Sequence, residues 1–412
     1  MSFGYYEDFS YWGNKGIESA NNGNFDDAIK YYTKAIEKWS YSDSYENKAG
    51  IYYNRGSAYH NKGEYDRAIE DYNEAIRLNP KDADAYNNRG IAYCHKGEYD
   101  RAIEDYNEAI RLNPEYADAY NNRGIAYDDK GEYDRAIDDY NEAIKLNPKD
   151  AIAYYNRGNA YRHKGEYDRA IDDCNEAIRL NPKYADAYNN RGSAYHNKGE
   201  YDRAITDYNN AIELNPESEY PVGNIAEIYF MQGKLDLALS QIDKALSMKE
   251  ESPFFNYCYW MKILIYKEQG NKEFLNVVLN KAENYIKNQI KKYPKKATNY
   301  FDLAEIYCES GQKIEEAEKL AKKGFELKQD YYSHYVLGRV YLVKREDAKA
   351  VKEFRKALEL NSSHIWIHYW LGKAYYYRIN DKESARYYFM QGLKINPKFR
   401  LIKEELRKFE RQ

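Results

Sequence analysis

The stretch AYNNRGIAYCHKGEYDRAIEDYNEAIRLNP, from Ala85 to Pro114, decides the fold because nearly the same text returns from Ala119 to Pro148. The shift between the two is 34 residues. Related copies begin at residues 49, 83, 117, 151 and 185 in one unbroken register, and each contains the segment KGEYDRA. Self-similarity at a fixed period of this length indicates a tandem array of one supersecondary unit.

Each copy carries two apolar stripes with helical spacing, which place their members on one face of a helix. In residues 83–116 these stripes are Tyr86, Gly90 and Tyr93, then Ala102, Tyr106 and Ala109. Lys96 and Gly97 separate the two helices, and Asn113 with Pro114 ends the second. The pattern predicts a helical hairpin. Its small residues allow close approach, so a bulky replacement there costs about 1–3 kcal/mol through overpacking.

These residues resemble the tetratricopeptide repeat, in which a large aromatic, glycine, tyrosine, alanine, an aromatic, alanine and proline follow at the same offsets. The next copy shows them as Tyr120, Gly124, Tyr127, Ala136, Tyr140, Ala143 and Pro148. The resemblance implies an all-α, right-handed superhelix whose first helices line the concave side.

One departure from the family pattern is systematic. The leucine that usually precedes the glycine is replaced by Arg55, Arg89, Arg123, Arg157 and Arg191. We expect each arginine to bury its aliphatic stem and to pair its head group with a neighbouring Glu or Asp.

The register extends over nearly the whole chain and predicts eleven copies. An N-terminal array in residues 1–252 contains copies at 9–42, 49–82, 83–116, 117–150, 151–184, 185–218 and 219–252. A divergent array in residues 253–398 contains copies at 256–289, 297–330, 331–364 and 365–398. Residues 399–412 are expected to form a capping helix over the last hairpin, because the ends of stacked repeats require a cover.

A second stripe on each first helix is expected to line the groove. Positions 4, 8 and 11 of a copy pack inward, which leaves positions 2, 6, 9 and 13 on another face. Position 6 is asparagine in seven consecutive copies, namely Asn14, Asn54, Asn88, Asn122, Asn156, Asn190 and Asn224. A carboxamide both donates and accepts, so this ladder predicts contacts with the backbone of an extended peptide. The alternative is that asparagine is simply tolerated on a wet helix face.

The near-identical copies differ mainly at positions 9, 12 and 13, which include His95, Asp128, Asp129 and His163. Variation along one face is what a selective groove needs, although drift on an exposed surface explains it too. Acidic residues on this face favour a basic peptide, and the candidates are Asp84, Asp118, Asp128, Asp129 and Asp186.

Several classes of protein are disfavoured by the sequence. Forty-nine tyrosines and 43% apolar residues argue against disorder, and no run approaches the roughly 18 apolar residues of a membrane span. The four cysteines lack CxxC spacing, which suggests reduced thiols and a cytoplasmic protein. The histidines lack the spacing of metal ligands, and no phosphate loop or nucleophile elbow occurs. We therefore expect no enzyme, no cofactor and no metal.

The sequence thus predicts a scaffold that binds a protein or peptide. An alternative follows from the charges, because residues 1–218 hold 28 basic and 41 acidic side chains whereas residues 219–412 hold 35 and 26. Opposite halves of two copies would attract each other, so a self-assembling homo-oligomer stays open. A third and less favoured hypothesis is nucleic-acid binding by Lys287, Lys291, Lys292, Lys295 and Lys296.

Overall fold

The computed structural model describes residues 8–40, 43–249, 251–252 and 254–410. Over these residues the regular structure is helical throughout and contains no strand. Residues 41–42 and 411–412, at the ends of the predicted first copy and capping helix, lie outside the described residues. The chain divides into two compact units, one ending at Lys164 and the other beginning at Gly165.

The first unit consists of nine helices among its described residues. They are α1 (Phe9–Asn21), α2 (Phe25–Lys38), α3 (Tyr45–Asn61), α4 (Tyr65–Leu78), α5 (Ala83–His95), α6 (Tyr99–Leu112), α7 (Ala117–Asp129), α8 (Tyr133–Leu146) and α9 (Ala151–His163).

The second unit continues the same alternation. Its helices are α10 (Tyr167–Leu180), α11 (Ala185–Asn197), α12 (Tyr201–Leu214), α13 (Glu219–Met231), α14 (Leu235–Ser247), α15 (Phe255–Glu268), α16 (Lys272–Lys292), α17 (Ala297–Ser310), α18 (Ile314–Leu327), α19 (Tyr331–Val343), α20 (Asp347–Leu360), α21 (Ile365–Ala374), α22 (Lys382–Ile395) and α23 (Arg400–Glu410). A π-helical segment, Tyr375–Ile379, extends α21.

Local sequence sets the ends of each hairpin. The Asp82 carboxylate accepts hydrogen bonds from the backbone N–H groups of Asp84 and Ala85, which caps α5. Between α5 and α6 the chain passes through Gly97 with φ 73°, a conformation that glycine adopts without strain. The predicted break at Lys96 and Gly97 is therefore the turn of the hairpin.

The two helices of a hairpin pack through the predicted small residues. A Cβ atom added at Gly90 would lie 2.7 Å from the ring of Tyr106, so only glycine fits there. Ala102 and Ala109 are fully buried beside Tyr106. In the first unit the buried tyrosines of successive hairpins belong to one continuous core, as stacked repeats require.

The systematic arginines form buried ion pairs, which confirms that prediction. Arg89 donates from Nε and Nη2 to the Asp105 carboxylate at 2.8 and 2.5 Å. Its Nη1 donates to Oδ1 of Asn73, in the preceding hairpin, at 2.6 Å. The same pair recurs in the second unit between Arg191 and Asp207. Arg89 and Arg191 therefore link both helices of their own hairpins to the hairpin before, and Arg123 does the same.

The two members of an Asp-Asp doublet in the regular repeats have different surroundings. In the doublet of α8, Asp138 is exposed but Asp139 is buried and bound by both ends of the Arg123 fork. Helical periodicity turns neighbouring residues to different faces, so one member of a doublet packs while the other meets water.

The divergent repeats keep the hairpin plan. Helix α16 has 21 residues and ends before Tyr293, so it is longer than the 14-residue second helices of the regular copies. Phe399 and Ile402 are buried at the start of α23, so this last helix packs its apolar side inward and acts as the predicted cap.

The end of the second unit meets its own beginning. Asn396 and the Tyr201 hydroxyl form a hydrogen bond of 3.3 Å. Further along, the Arg400 guanidinium donates to both carboxylate oxygens of Glu268 at 2.9 and 2.8 Å. The helix stack of this unit therefore curves far enough for its last hairpin to contact the turns of much earlier hairpins.

Candidate functional site

The position 6 asparagines Asn88, Asn122 and Asn156 bond to the preceding repeat. Asn122 Nδ2 donates to Oδ1 of Asn87 at 3.0 Å, and Asn156 Nδ2 donates to Oδ1 of Asn121 at 3.0 Å. In each pair the acceptor is the position 5 residue of the repeat before. Asn88 makes the equivalent bond to the Tyr53 hydroxyl at 2.7 Å. The donor end of the ladder thus helps to join neighbouring first helices.

The acceptor end of the ladder has a different environment. The structure gives the Oδ1 atoms of Asn122 and Asn156 no donor among the residues that it describes. Of the remaining members, Asn14 is exposed, Asn54 is half-buried and Asn190 is buried. In the second unit, Asn224 Nδ2 donates to Oδ1 of Asn189. Carbonyl oxygens without donors on a first-helix face are able to accept N–H groups from a ligand.

The predicted acidic residues differ in their surroundings. Asp84 is exposed, and its Oδ1 accepts from the Tyr116 hydroxyl at 2.5 Å. Asp118, Asp129 and Asp186 are also exposed. Asp128 is half-buried and lies within 3.2 Å of Asn159 Nδ2 and 3.3 Å of His163 Nδ1. Its carboxylate is therefore engaged by the neighbouring repeat.

The predicted histidines pack against aromatic rings. His95 stacks on Tyr65 with ring centroids 4.8 Å apart, and it also approaches His60. His163 lies 5.2 Å from Tyr133. Within the described part of the chain, no three His, Cys, Asp or Glu side chains are grouped closely enough to hold a metal ion.

The second unit contains a pocket that the sequence did not reveal. Its volume is about 690 Å³, within the usual range for ligand sites. Seven aromatic residues line it, namely Tyr220, Phe254, Tyr257, Trp260, Tyr332, Tyr335 and Trp366. Its acidic residues are Glu227, Asp302 and Glu305. We call it the aromatic pocket.

Several residues that line the aromatic pocket stand at the positions predicted to face the groove. Tyr257, Tyr332 and Trp366 stand at position 2 of their copies, and Asp302 and Glu305 stand at positions 6 and 9. From the sequence, the candidate site residues at these positions were predicted in the regular repeats and not in the divergent ones. The signal was present, since the same positions there change from Asn and Asp to aromatic and charged residues.

The carboxylates of the aromatic pocket are strongly influenced by burial. Asp302 accepts from Asn256 Nδ2 at 2.7 Å and from the Tyr332 hydroxyl at 3.2 Å, but burial raises its pKa to about 6. Glu305 accepts from Trp260 Nε1 at 3.1 Å and from Arg339 Nη1 at 3.2 Å, and burial raises its pKa to about 7. Desolvation outweighs the favourable bonds in both cases.

Arg339 separates the aromatic pocket from a second cavity of about 460 Å³. Its Nη2 donates to Glu309 at 2.5 Å, and its guanidinium lies 3.7 Å from the centre of the Trp370 ring. Lys373 also lines this second cavity, and burial lowers the pKa of its ammonium group.

The lysines considered for nucleic-acid binding are partly occupied by acids. Lys287 pairs with Glu283 at 2.8 Å, and Lys292 pairs with Glu251 at 2.7 Å. Lys291, Lys295 and Lys296 are exposed. Pairing with carboxylates reduces the positive field that a phosphate backbone needs.

Models of the tetratricopeptide repeat match the chain at residues 14–83, 53–117, 87–151, 121–185, 185–218, 338–377 and 367–399. Together these matches cover more than half of the chain, so it belongs to the tetratricopeptide repeat family. It has the all-α superhelical fold of that family, which serves as a protein-interaction scaffold and is typically non-catalytic.

The chain is similar to several solved structures, and the first described here shows the same fold. A tetratricopeptide repeat protein from Parabacteroides merdae is 21% identical with a TM-score of 0.52, over 61% of this chain and 98% of that one. Yeast Tom70 is 16% identical with a TM-score of 0.43, over 98% and 96%. YrrB, described as a TPR protein with an unusual peptide-binding site, is 26% identical with a TM-score of 0.38, over 47% and 97%.

The search of curated proteins gives no match. A search for membrane-spanning segments among the described helices found none with enough length and apolar character.

Proposed function

We propose that this chain binds an extended segment of a partner protein along the inward stripe of its first helices. The observation that carries the proposal is the row of asparagine carbonyl oxygens at position 6, which the inter-repeat bonds orient and leave without donors at Asn122 and Asn156. An extended peptide presents backbone N–H groups at regular intervals, and these suit such acceptors whatever its side chains are.

The exposed carboxylates add a preference for basic segments. Asp84 and Asp118 stand at position 2 of neighbouring repeats, and Asp129 stands at position 13. Because these charges are in water, their attraction is screened by salt. A variant with Asp118→Lys and Asp129→Lys should bind a basic segment more weakly and with less salt dependence. Unchanged binding at all salt concentrations would remove the electrostatic part of the proposal.

The cysteines are present as thiols, which fits a reducing compartment, and we propose a cytoplasmic protein on this ground.

The test compares two double variants that break the same two inter-repeat bonds. In the first, Asn122→Ala and Asn156→Ala remove the position 6 side chains. In the second, Asn87→Ala and Asn121→Ala remove the bonding partners at position 5 but keep the position 6 oxygens. Partners are captured from a lysate with the wild type and identified by mass spectrometry. Their binding segments are then made as peptides and titrated against all three proteins by calorimetry.

Loss of two hydrogen bonds of about 0.5–1.5 kcal/mol each predicts roughly tenfold weaker binding for the first variant. The second variant should bind nearly as well as the wild type. Methylating the peptide's backbone nitrogens should weaken binding to the wild type as well. Equal losses in both variants would assign the asparagines to packing alone, and wild-type affinity in both would refute the ladder as a binding surface.

A further inference from the structure

The walls of the aromatic pocket are built from pairs of rings. Trp260 and Trp366 meet edge to face with centroids 5.2 Å apart, and Tyr257 stacks on Trp260 at 5.7 Å. On another wall Tyr332 and Tyr335 are stacked at 5.8 Å. Indole and phenol faces carry partial negative charge, so a pocket walled by them attracts cations that have left bulk water.

The carboxylate of Asp302 stands in this pocket without a cationic partner. Its bonds come from an amide and a hydroxyl, and no Lys, Arg or His nitrogen of the described residues lies within 4.0 Å of it. Lys296 is near but exposed. A buried carboxylate normally has a paired charge, because taking it from water is costly.

Asn256 supplies an independent indication of a ligand. Its side chain lines the aromatic pocket and is 3% exposed. Nδ2 is held by Asp302, which fixes the amide so that Oδ1 is the free end. This buried Oδ1 has no hydrogen-bond donor among the described residues. Native proteins seldom leave such an acceptor unsatisfied, so its position next to Asp302 calls for a donor from outside.

The charge balance of the pocket is negative. Glu227 lines the pocket, and Glu305 shares Arg339 with Glu309. Burial lowers the pKa of His364 to about 4, so its ring is neutral at pH 7. Among the described residues, Asp302 and Glu227 therefore have no buried cationic partner, and the lining residue Lys296 is exposed.

We propose that the aromatic pocket binds a cationic group, the guanidinium or ammonium of an Arg or Lys side chain in a partner segment. Asp302 and Asn256 Oδ1 accept its N–H groups, and the rings of Trp260 and Trp366 cover its face. Arginine suits this arrangement well, because its planar fork reaches two acceptors while stacking on an indole. Only the source of the cation rests on the function proposed above.

The test uses the full chain and two short probes that differ in charge alone. The probes are acetylated and amidated pentapeptides with four glycines around a central arginine or around citrulline, which has nearly the same shape but no charge. Binding is measured by calorimetry at pH 8 and low salt. We expect the arginine probe to bind at least about tenfold more tightly than the citrulline probe, the ratio that one charge-assisted hydrogen bond supplies. Equal affinities, or no binding of either, would overturn the proposal without requiring any variant to fold.

The place of binding is tested by two isosteric variants of the second unit. Asp302→Asn removes the charge from the pocket, whereas Asp243→Asn removes an exposed charge that pairs with Lys262 outside it. Asp302→Asn should lower the affinity for the arginine probe to that for the citrulline probe. Asp243→Asn should leave the affinity for the arginine probe unchanged. Circular dichroism checks that both are folded. Tight arginine binding that survives Asp302→Asn would overturn the assignment to this pocket.

Free arginine amide and tetramethylammonium distinguish the source of the cation. If both small cations bind the protein more weakly than the arginine pentapeptide does, the result supports an arginine or lysine side chain of a protein segment as the ligand. If either binds as tightly as the pentapeptide or more tightly, the ligand is a small organic cation and the proposed source is overturned. Variants of Asn122 and Asn156 leave the aromatic pocket intact. The experiments can therefore refute peptide binding by the asparagine ladder and cation binding by the aromatic pocket independently of each other.

Discussion

Asp105 shows how a single buried charge ties the repeats together. Its carboxylate is 5% exposed and takes two bonds from Arg89. We expect Asp105→Ala to destabilise the chain by about 3–5 kcal/mol, because it leaves the arginine charged and buried without a partner. Replacing both residues by leucine should recover most of this loss, since an apolar pair of similar volume is often as stable as a buried ion pair.

Urea unfolding, followed by circular dichroism, measures both variants against the wild type. Arg77→Ala is the control, because its pair with Glu74 lies on the surface and is worth about 0–1 kcal/mol. If the double leucine variant were as unstable as Asp105→Ala, the cost would come from lost packing and not from an unpaired charge.

The pocket carboxylates predict how cation binding depends on pH. Burial raises the pKa of Asp302 to about 6 and that of Glu305 to about 7. The other charged or titratable groups that face them are Glu227, Tyr257, Lys296, Glu309, Tyr332, Tyr335, Arg339 and His364. A bound cation favours the ionised carboxylates, so binding releases protons and strengthens as pH rises. Burial keeps His364 neutral above about pH 4, so it adds no positive charge in this range.

We therefore expect the arginine pentapeptide to lose affinity progressively between pH 8 and pH 5. The loss should be about tenfold per pH unit once Asp302 is largely protonated, because one proton is then exchanged on binding. Calorimetry in buffers of different ionisation heat measures the protons released. Affinity that is constant over this range would place the cation away from these carboxylates.

At the scale of the helix, glycine acts in two opposite ways. Gly90 on α5 has no room for a side chain, since an added Cβ would lie 2.7 Å from the Tyr106 ring. Gly50 on α3 has nothing within 4 Å of that position. Gly90→Ala should destabilise the chain by about 1–3 kcal/mol through overpacking, whereas Gly50→Ala should stabilise it by about 0.5–1 kcal/mol. Thermal unfolding compares the two, and similar shifts in both would show that the close helix contact does not limit stability.

The elements were predictable from the sequence because their determinants are local. Apolar residues at helical spacing, the glycine turn at Gly97 and the stop at Pro114 lie within one copy, and the helices begin and end close to them. The inter-repeat bond of Asn122 was not predicted, because its partner Asn87 stands 35 residues earlier and at a different position of its copy. Sequence identifies the face of the ladder but not which atoms on that face are already bonded.

At the scale of the second unit, the candidate site depends on curvature. Trp260 and Trp366 meet at the aromatic pocket although two repeats lie between the ones that contain them. Their contact results from small rotations between successive hairpins, which add up along the stack. The spacing of residues within one copy does not reveal this accumulated rotation. The residue types and the inward positions were readable in the sequence, whereas the meeting of distant repeats required the structure.

The contacts that close the second unit lead to a last prediction. Arg400 binds Glu268 with both ends of its guanidinium, and it also lies over the Phe230 ring. Arg400→Ala removes these contacts and should raise amide exchange in α23 and at the turn after Glu268, because local opening follows the loss of tertiary contacts. Lys403→Ala, on an exposed side of the same helix, is the control and should change neither.

Hydrogen exchange with mass spectrometry resolves these segments in the full chain. Trp366 lines the aromatic pocket and contacts Phe399, the residue before Arg400. Arg400→Ala should therefore also weaken binding of the arginine pentapeptide, and Lys403→Ala should not. Exchange that rises only within α23, with the turn after Glu268 unaffected, would mean that the last helix frays independently. The closing contacts would then be a consequence of the curvature of the stack and not one of its causes.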